Sequence, residues 1–358
     1  MKAGTLAMLV LLSGFSLQGT ESLGQLKPGA SAADLLGGRL TVRLPPGAKV
    51  EPLTPYIMSA PAAEAEETRV ELDAGSQRMV IMTYELFCLA SEGIEQRISE
   101  EFIQEHFKAT LRPLALPPPL KAYVYFPQSP TQNEEANFVM GVYLIRSDST
   151  MQQIAVHVNP EGARESAQAS GLAVAICATL REGKRPMNTK AGDRELGAYS
   201  KEKAALITVP DGYVVTLQSG PDFVVYHVRK LVKFEESPMS IGVYFGDFPS
   251  RRDGYSRKEN VNLFGKNVDW YEKVTKTAGG PFIDDDALVS LRPEDSASAQ
   301  QPAQGGPPPI PPAPSRLSLP PSGPPSFADV FLRAGDVAGM EELKKVAATL
   351  RLGETQER

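Results

Sequence analysis

An internal repeat constrains the fold of this chain more than any other feature. The sequence Ala-Thr-Leu-Arg occurs at residues 178–181 and again at residues 348–351. In that register the preceding residues match in spacing, so that Met340, Leu343, Val346, Ala347 and Leu350 correspond to Ser170, Ala173, Ile176, Cys177 and Leu180. Apolar residues three and four positions apart form one face of a helix, so each copy is predicted to end an amphipathic helix. Self-similarity of this kind indicates a duplicated unit.

The remaining residue patterns predict elements in a similar order in both copies. Runs of β-branched and aromatic residues predict strands, and apolar residues at helical spacing predict helices. The first copy has predicted strands at residues 40–44, 69–73, 79–88, 122–126, 137–146 and 151–159, and helices at 91–107 and 165–181. The second copy has predicted strands at residues 205–209, 223–234, 241–248, 261–271, 287–291 and 327–333, and one helix at 337–352.

These elements predict two domains, which suits a chain of 358 residues. We expect a first α/β sandwich unit at residues 38–183 and a second at 199–352, joined by a linker at 184–198. Residues 296–326 are rich in proline and cannot form a packed core, so a disordered insertion is expected there. It replaces the four-residue turn at 147–150 of the first unit, and therefore lies inside a hairpin.

The N-terminus predicts export from the cytoplasm. A lysine at position 2 precedes a short apolar run and then small residues, which is typical of a signal peptide, here residues 1–21. An uncleaved anchor is the alternative. Residues 22–37 are expected to be a flexible leader. The mature chain should be periplasmic or secreted, without stable membrane insertion. A net charge of −6 argues against nucleic acid as a partner.

The order of elements resembles the PsbP-like α/β sandwich, which includes the DcrB-like exported proteins. The resemblance is carried by residues 40–47, 79–87, 138–146, 151–162 and 172–181, and less fully by residues 205–212 and 327–351. It implies an α+β fold, with helices packed on an antiparallel sheet in each of two tandem units. It also implies a non-enzymatic role in assembly or protein interaction.

Two cysteines, Cys88 and Cys177, are the candidate site residues. Alternation along residues 79–88 predicts that the even positions, including Cys88, face the core. Cys177 lies on the apolar face of a predicted helix. Because both would face one core, a disulfide is geometrically allowed, and an oxidising compartment would permit it. Two buried free thiols fit this placement equally well.

No other residue pattern carries recognisable chemistry. The three histidines, His106, His157 and His227, form no spaced pair, and the acidic run at 284–286 lacks the spacing of a calcium loop. The sequence therefore assigns no catalytic residue, cofactor or metal. We expect an exported, non-enzymatic protein-interaction or assembly module of the cell envelope, whose partner is another envelope or secreted protein. The alternatives are a ligand-binding or immunity-type protein, and a hydrolase whose site is assembled from distant residues.

Overall fold

The computed structural model shows a protein built mainly of antiparallel sheets. It describes residues 29–52, 63–74, 77–128, 131–133, 136–158, 163–198, 203–219, 224–246, 254–277, 280–291 and 327–354. Of these residues, 58% lie in strands and 15% in three short helices. The expected α+β sandwich is therefore wrong. Several segments that the sequence predicts to be leader, linker or turn form strands instead.

The three helices are α1 (residues 94–107), α2 (Ala163–Cys177) and α3 (Val337–Ala347). The middle of α1, Ile98–Ile103, is π-helical. Asp336 caps α3, because its carboxylate accepts a hydrogen bond from Gly339 N at 2.7 Å. Helix α2 ends four residues earlier than predicted and α3 five residues earlier, since the repeated Ala-Thr-Leu-Arg leaves the helix and leads into a strand.

In the N-terminal half, a small sheet faces a large one. The small sheet has the order β1-β2-β11, with β1 (Ser31–Leu35), β2 (Leu40–Leu44) and β11 (Arg181–Glu182). The large sheet consists of β3 (Lys49–Pro52), β4 (Glu67–Ala74), β5 (Gln77–Leu89), β6 (Arg112–Leu114), β7 (Lys121–Tyr125), β8 (Thr131–Asn133), β9 (Ala136–Ile145) and β10 (Thr150–Val158). Its order is β3-β4-β5-β10-β9-β7-β6, and β8 pairs with β9. Strand β1 lies within the expected leader.

The C-terminal half also has a small and a large sheet. The small sheet has the order β12-β13-β22, with β12 (Gly192–Ala198), β13 (Lys203–Val209) and β22 (Arg351–Glu354). The large sheet consists of β14 (Tyr213–Ser219), β15 (Val224–Lys230), β17 (Met239–Gly246), β18 (Ser256–Leu263), β19 (Lys266–Thr277), β20 (Gly280–Ser290) and β21 (Phe327–Ala334). Its order is β14-β15-β17-β21-β20-β19-β18. Strand β16 (Val232–Lys233) pairs with β5 of the other half, and β12 lies within the expected linker.

The two halves share one strand order. When β8 and β16 are left out, the seven remaining strands of each large sheet, counted along the chain, have the same spatial order, and each small sheet adds a final strand after the helix. The hydrogen bonds at the helix ends also match. Thr179 Oγ1 accepts from Arg43 N at 2.9 Å, and Thr349 Oγ1 accepts from Thr208 N at 2.9 Å. In each half a threonine therefore joins the end of a helix to the small sheet.

Strands β20 and β21 pair directly, with Ser290 opposite Phe327. The proline-rich residues 296–326 lie between these strands in sequence and are outside the described residues. The expected signal peptide at 1–21 is also outside the described residues. Within the described residues, no helix has the length and apolar character needed to cross a membrane.

The large sheet of the N-terminal half has an apolar cluster on each face. Met79 and Ile81 of β5 are buried in the cluster that also contains Cys177, whereas Cys88 belongs to a second cluster that contains residues of α1. The prediction that the even positions of β5 face the main core is wrong, because Met79 and Ile81 lie in that cluster and the odd positions from Met79 to Phe87 are the buried ones. Phe87 has a φ of 51°, and this irregularity lets both Phe87 and Cys88 be buried.

Candidate functional site

The two halves meet through backbone and side-chain contacts. Glu64 N donates a hydrogen bond to Val215 O at 2.7 Å, and Val232 of β16 pairs with Cys88. A small apolar cluster of Phe87, Met187 and Val214 fills the space beside them. These contacts place β4 and β5 of one half beside β14 and β15 of the other.

A fully buried arginine, Arg39, organises this junction. Its Nη1 lies 2.6 Å from Glu64 Oε2, and its Nη2 lies 2.9 Å from Glu85 Oε2 and donates to Ala65 O at 2.8 Å. The close approach of Gly183 positions Arg39, because Gly183 N donates to Arg39 O at 2.8 Å and a Cβ there would lie only 2.1 Å from the nearest backbone oxygen. The guanidinium is thus fixed between two carboxylates.

Glu64 and Glu85 connect this buried ion cluster to the segment between β11 and β12 and to strand β10. Glu64 Oε1 accepts from Asn188 N at 3.0 Å, and Glu85 Oε1 accepts from Gln152 Nε2 at 3.0 Å. Burial raises the pKa of Glu85, while Arg39 and Gln152 oppose that rise. Breaking such a cluster is costly, because a buried charge would lose its partner.

An open cleft of about 340 Å³ adjoins the cluster. Both halves contribute to its lining, which consists of Glu66, Glu67, Tyr84, Glu85, Leu86, Phe87, Gln153 and Arg229. Sheet register explains why some of these residues share a face, since Glu67 lies opposite Tyr84 and Tyr84 lies opposite Gln153 on three neighbouring strands. Among the described residues that line it there is no serine, threonine, cysteine or histidine, the side chains of the commonest nucleophile–base pairs.

Arg229 forms the wall that the C-terminal half contributes. Its Nη2 donates to Glu66 Oε1 at 3.0 Å, and its guanidinium carbon lies 5.2 Å from the centroid of the Phe87 ring. The wall therefore combines an ion pair with a cation–π contact.

Carboxylate and phenol groups make the opposite wall. Burial, followed by the charge of Glu66, raises the pKa of Glu67. Burial, followed by the charge of Glu67, raises the pKa of Tyr84. Both shifts report negative charge concentrated in a partly desolvated place. This arrangement can hold a cationic group against a carboxylate and an aromatic ring.

Neither cysteine lines this cleft, and the two do not lie together. Both are buried free thiols, and they belong to the clusters on opposite faces of the large sheet. The expectation that they face one core is therefore wrong, and the structure contains no disulfide between Cys88 and Cys177. Burial raises the pKa of each thiol to about 12, so neither is an activated nucleophile.

The other sequence candidates do not come together either. His157 lies beside Phe138, and His227 Nε2 lies 3.3 Å from Gln218 Oε1. Asp284 pairs with Arg333 at 2.7 Å, and Asp285 pairs with Lys344 at 3.1 Å. In the part of the chain that the structure describes, no group of three or more His, Cys, Asp or Glu side chains could hold a metal ion.

Sequence reasoning missed every residue of the cleft. Glu66 and Glu67 directly precede the strand predicted at residues 69–73, and Arg229 lies inside another predicted strand. A pair of acidic residues before a strand is the one signal available, and it is common in ordinary turns.

Comparison with known proteins gives little further guidance. No family model matches the chain, and no curated protein matches it. A solved structure of the T6SS immunity protein TplEi from Pseudomonas aeruginosa, complexed with an "L" peptide, is 10% identical, with 91% of this chain and 98% of that chain covered and a TM-score of 0.20. At this TM-score the similarity carries no argument about fold or function. The PsbP-like resemblance stays a prediction.

Proposed function

We propose that this chain is a non-enzymatic protein-interaction module that binds a segment of a partner protein in the cleft between its halves. The observation that carries the proposal is the open cleft of about 340 Å³, lined by residues of both halves. Its size falls near the lower end of the range for ligand sites, roughly 300–1,000 Å³, which suits one or two side chains of a larger partner.

The buried ion cluster supports this proposal by making the cleft preorganised. Glu85 is both a lining residue and a partner of Arg39, so the floor of the cleft is fixed before anything binds. Binding to a rigid site costs less conformational entropy. Export to the envelope or beyond, with another exported protein as partner, belongs to the same proposal and rests on the N-terminal sequence. An immunity-type protein would be one case of such binding.

Site-specific photo-crosslinking tests the proposal. The photoreactive residue p-benzoylphenylalanine replaces Tyr84 in the cleft, and in a matched control it replaces Phe126, an aromatic residue that is 40% exposed. Both full-length variants are irradiated in the source cells. We expect a discrete protein adduct from the Tyr84 position that excess unlabelled protein suppresses, and no such adduct from the Phe126 position.

Two outcomes would count against the proposal. Identical adducts from both positions would indicate non-specific proximity. The absence of any protein adduct at Tyr84 would favour the alternative of a small-molecule ligand in the same cleft.

A further inference from the structure

We infer that the cleft selects an arginine side chain of the partner segment, an inference that rests on the proposed function. Three features of the cleft support this inference: its charge, the shape of its walls, and the guanidinium of Arg229 that the chain itself places there.

The charge of the cleft is unbalanced by one carboxylate. Glu85 is paired with Arg39, and Glu66 is paired with Arg229. Glu67 forms no ion pair with any residue that the structure describes, although it is partly buried beside Glu66. A cation placed in the cleft would therefore neutralise a charge that is held at a cost in the free protein.

The walls suit a flat cation better than a compact one. The ring of Tyr84 lies opposite Glu67 across two strands, and Leu86 and Phe87 add apolar surface. A guanidinium can donate two parallel hydrogen bonds to a carboxylate and stack on a ring, and it loses less hydration than an ammonium does.

Arg229 shows that this lining already recognises a guanidinium. It pairs with a carboxylate at 3.0 Å and lies 5.2 Å from an aromatic ring. The opposite wall offers the same two groups, the carboxylate of Glu67 and the ring of Tyr84, without an occupant from the described chain. The cleft volume accommodates one long side chain and part of its backbone.

Titration calorimetry with defined peptides tests the inference on the full-length protein. The probes are acetyl-Gly-Arg-Gly-amide, its citrulline counterpart, which has the same shape without the charge, and its lysine counterpart. The proteins are the wild type, Glu67→Gln, and Glu105→Gln as a matched control on the exposed surface of α1.

We expect the arginine peptide to bind the wild type about tenfold more tightly than the citrulline peptide, because a charge-assisted pair is lost in the latter. The lysine peptide should bind at an intermediate level. E67Q should weaken arginine binding about tenfold, whereas E105Q should leave it unchanged.

Equal binding of the arginine and citrulline peptides, unchanged binding in E67Q, or no binding of any peptide would overturn the inference. A crosslinked partner at Tyr84 combined with one of these results would leave the proposed function intact. Charge-dependent peptide binding without any crosslinked protein would instead remove the proposed function, and would leave a site for a small guanidinium compound.

Discussion

The replacement Arg39→Met is the sharpest test of how the junction is held together. Methionine fills much of the space of the arginine side chain, but it removes the charge that Glu64 and Glu85 share. The side chains of these two glutamates are only 2% and 0% exposed. Removing one partner of a buried ion pair costs about 3–5 kcal/mol. With two carboxylates left uncompensated, we expect a loss at the upper end of that range.

The loss should depend on pH, with a definite sign. Burial raises the pKa of Glu85, and Arg39 is the largest effect opposing that rise, so in the variant only Gln152 and Arg146 still oppose it and the pKa rises further. Its native state then binds a proton more readily than its unfolded state does. The deficit relative to wild type should therefore be largest above the raised pKa and should shrink as pH falls and Glu85 becomes neutral.

Urea unfolding followed by circular dichroism measures both effects, at pH 8 and at pH 5.5. The matched control is Arg257→Met, which breaks the exposed pair of Arg257 with Asp269 and should leave the midpoint almost unchanged. A loss in Arg39→Met below about 1 kcal/mol, or an equal loss at both pH values, would show that the buried cluster is not held as described.

Three further predictions concern residues outside the cleft. Burial, followed by the charge of Arg229, lowers the pKa of His227 to about 4, so between pH 6.5 and pH 4 the unfolded chain binds a proton that the native protein does not. The free energy of unfolding should therefore fall over this range by at most about 3 kcal/mol, and urea titrations of His227→Gln should lack that part of the loss. Thr349→Val leaves the partly buried Thr208 N without its acceptor and should cost about 1–3 kcal/mol by the same assay. Thr179→Val should cost less, because its bond to Arg43 N is exposed and water can replace the hydroxyl; no loss in Thr349→Val would contradict the role of this bond. Cys88 and Cys177 should resist alkylation by iodoacetamide in the native protein and react in urea without reductant, as followed by mass spectrometry. A mass lower by two hydrogen atoms in the unreduced protein would reveal a disulfide that the structure lacks.

Local patterns predict the helices of this chain well, but place their ends too late. The spacing of Ala173, Ile176 and Cys177 identifies α2. The prediction continues to residue 181 because Leu180, which follows at helical spacing, is also fully buried. Leu350 extends the prediction for α3 in the same way. In both halves the apolar pattern persists while the backbone turns into a strand, and sequence periodicity cannot register that change.

Sheet orientation is less accessible to sequence reasoning. Val80 and Met82 are as apolar as Met79 and Ile81, although only Met79 and Ile81 belong to a buried cluster. Without a polar face, the alternation of residues along the strand cannot indicate which face of the sheet is packed against the main core. The missed strands, such as β12, carry charged residues that are typical of linkers.

The residues of the candidate site could not be predicted from the sequence for a different reason. Arg39 and Glu85 are 46 positions apart, and Glu66 and Arg229 are 163 positions apart. Their charges are unremarkable in sequence, and only the meeting of the two halves brings them together.

The pairing of Ser290 with Phe327 makes the chain divisible. Strands β20 and β21 are hydrogen-bonded from that pair to the pair of Ile283 with Ala334. A cut between positions 291 and 326 would thus yield a long fragment and a short one, the latter carrying β21, α3 and β22. Because β21 lies in the middle of its sheet, the long fragment alone would have a gap that the short fragment fits. The protein could accordingly serve as a split scaffold, reassembled from two pieces, with each new end available for fusion to another domain.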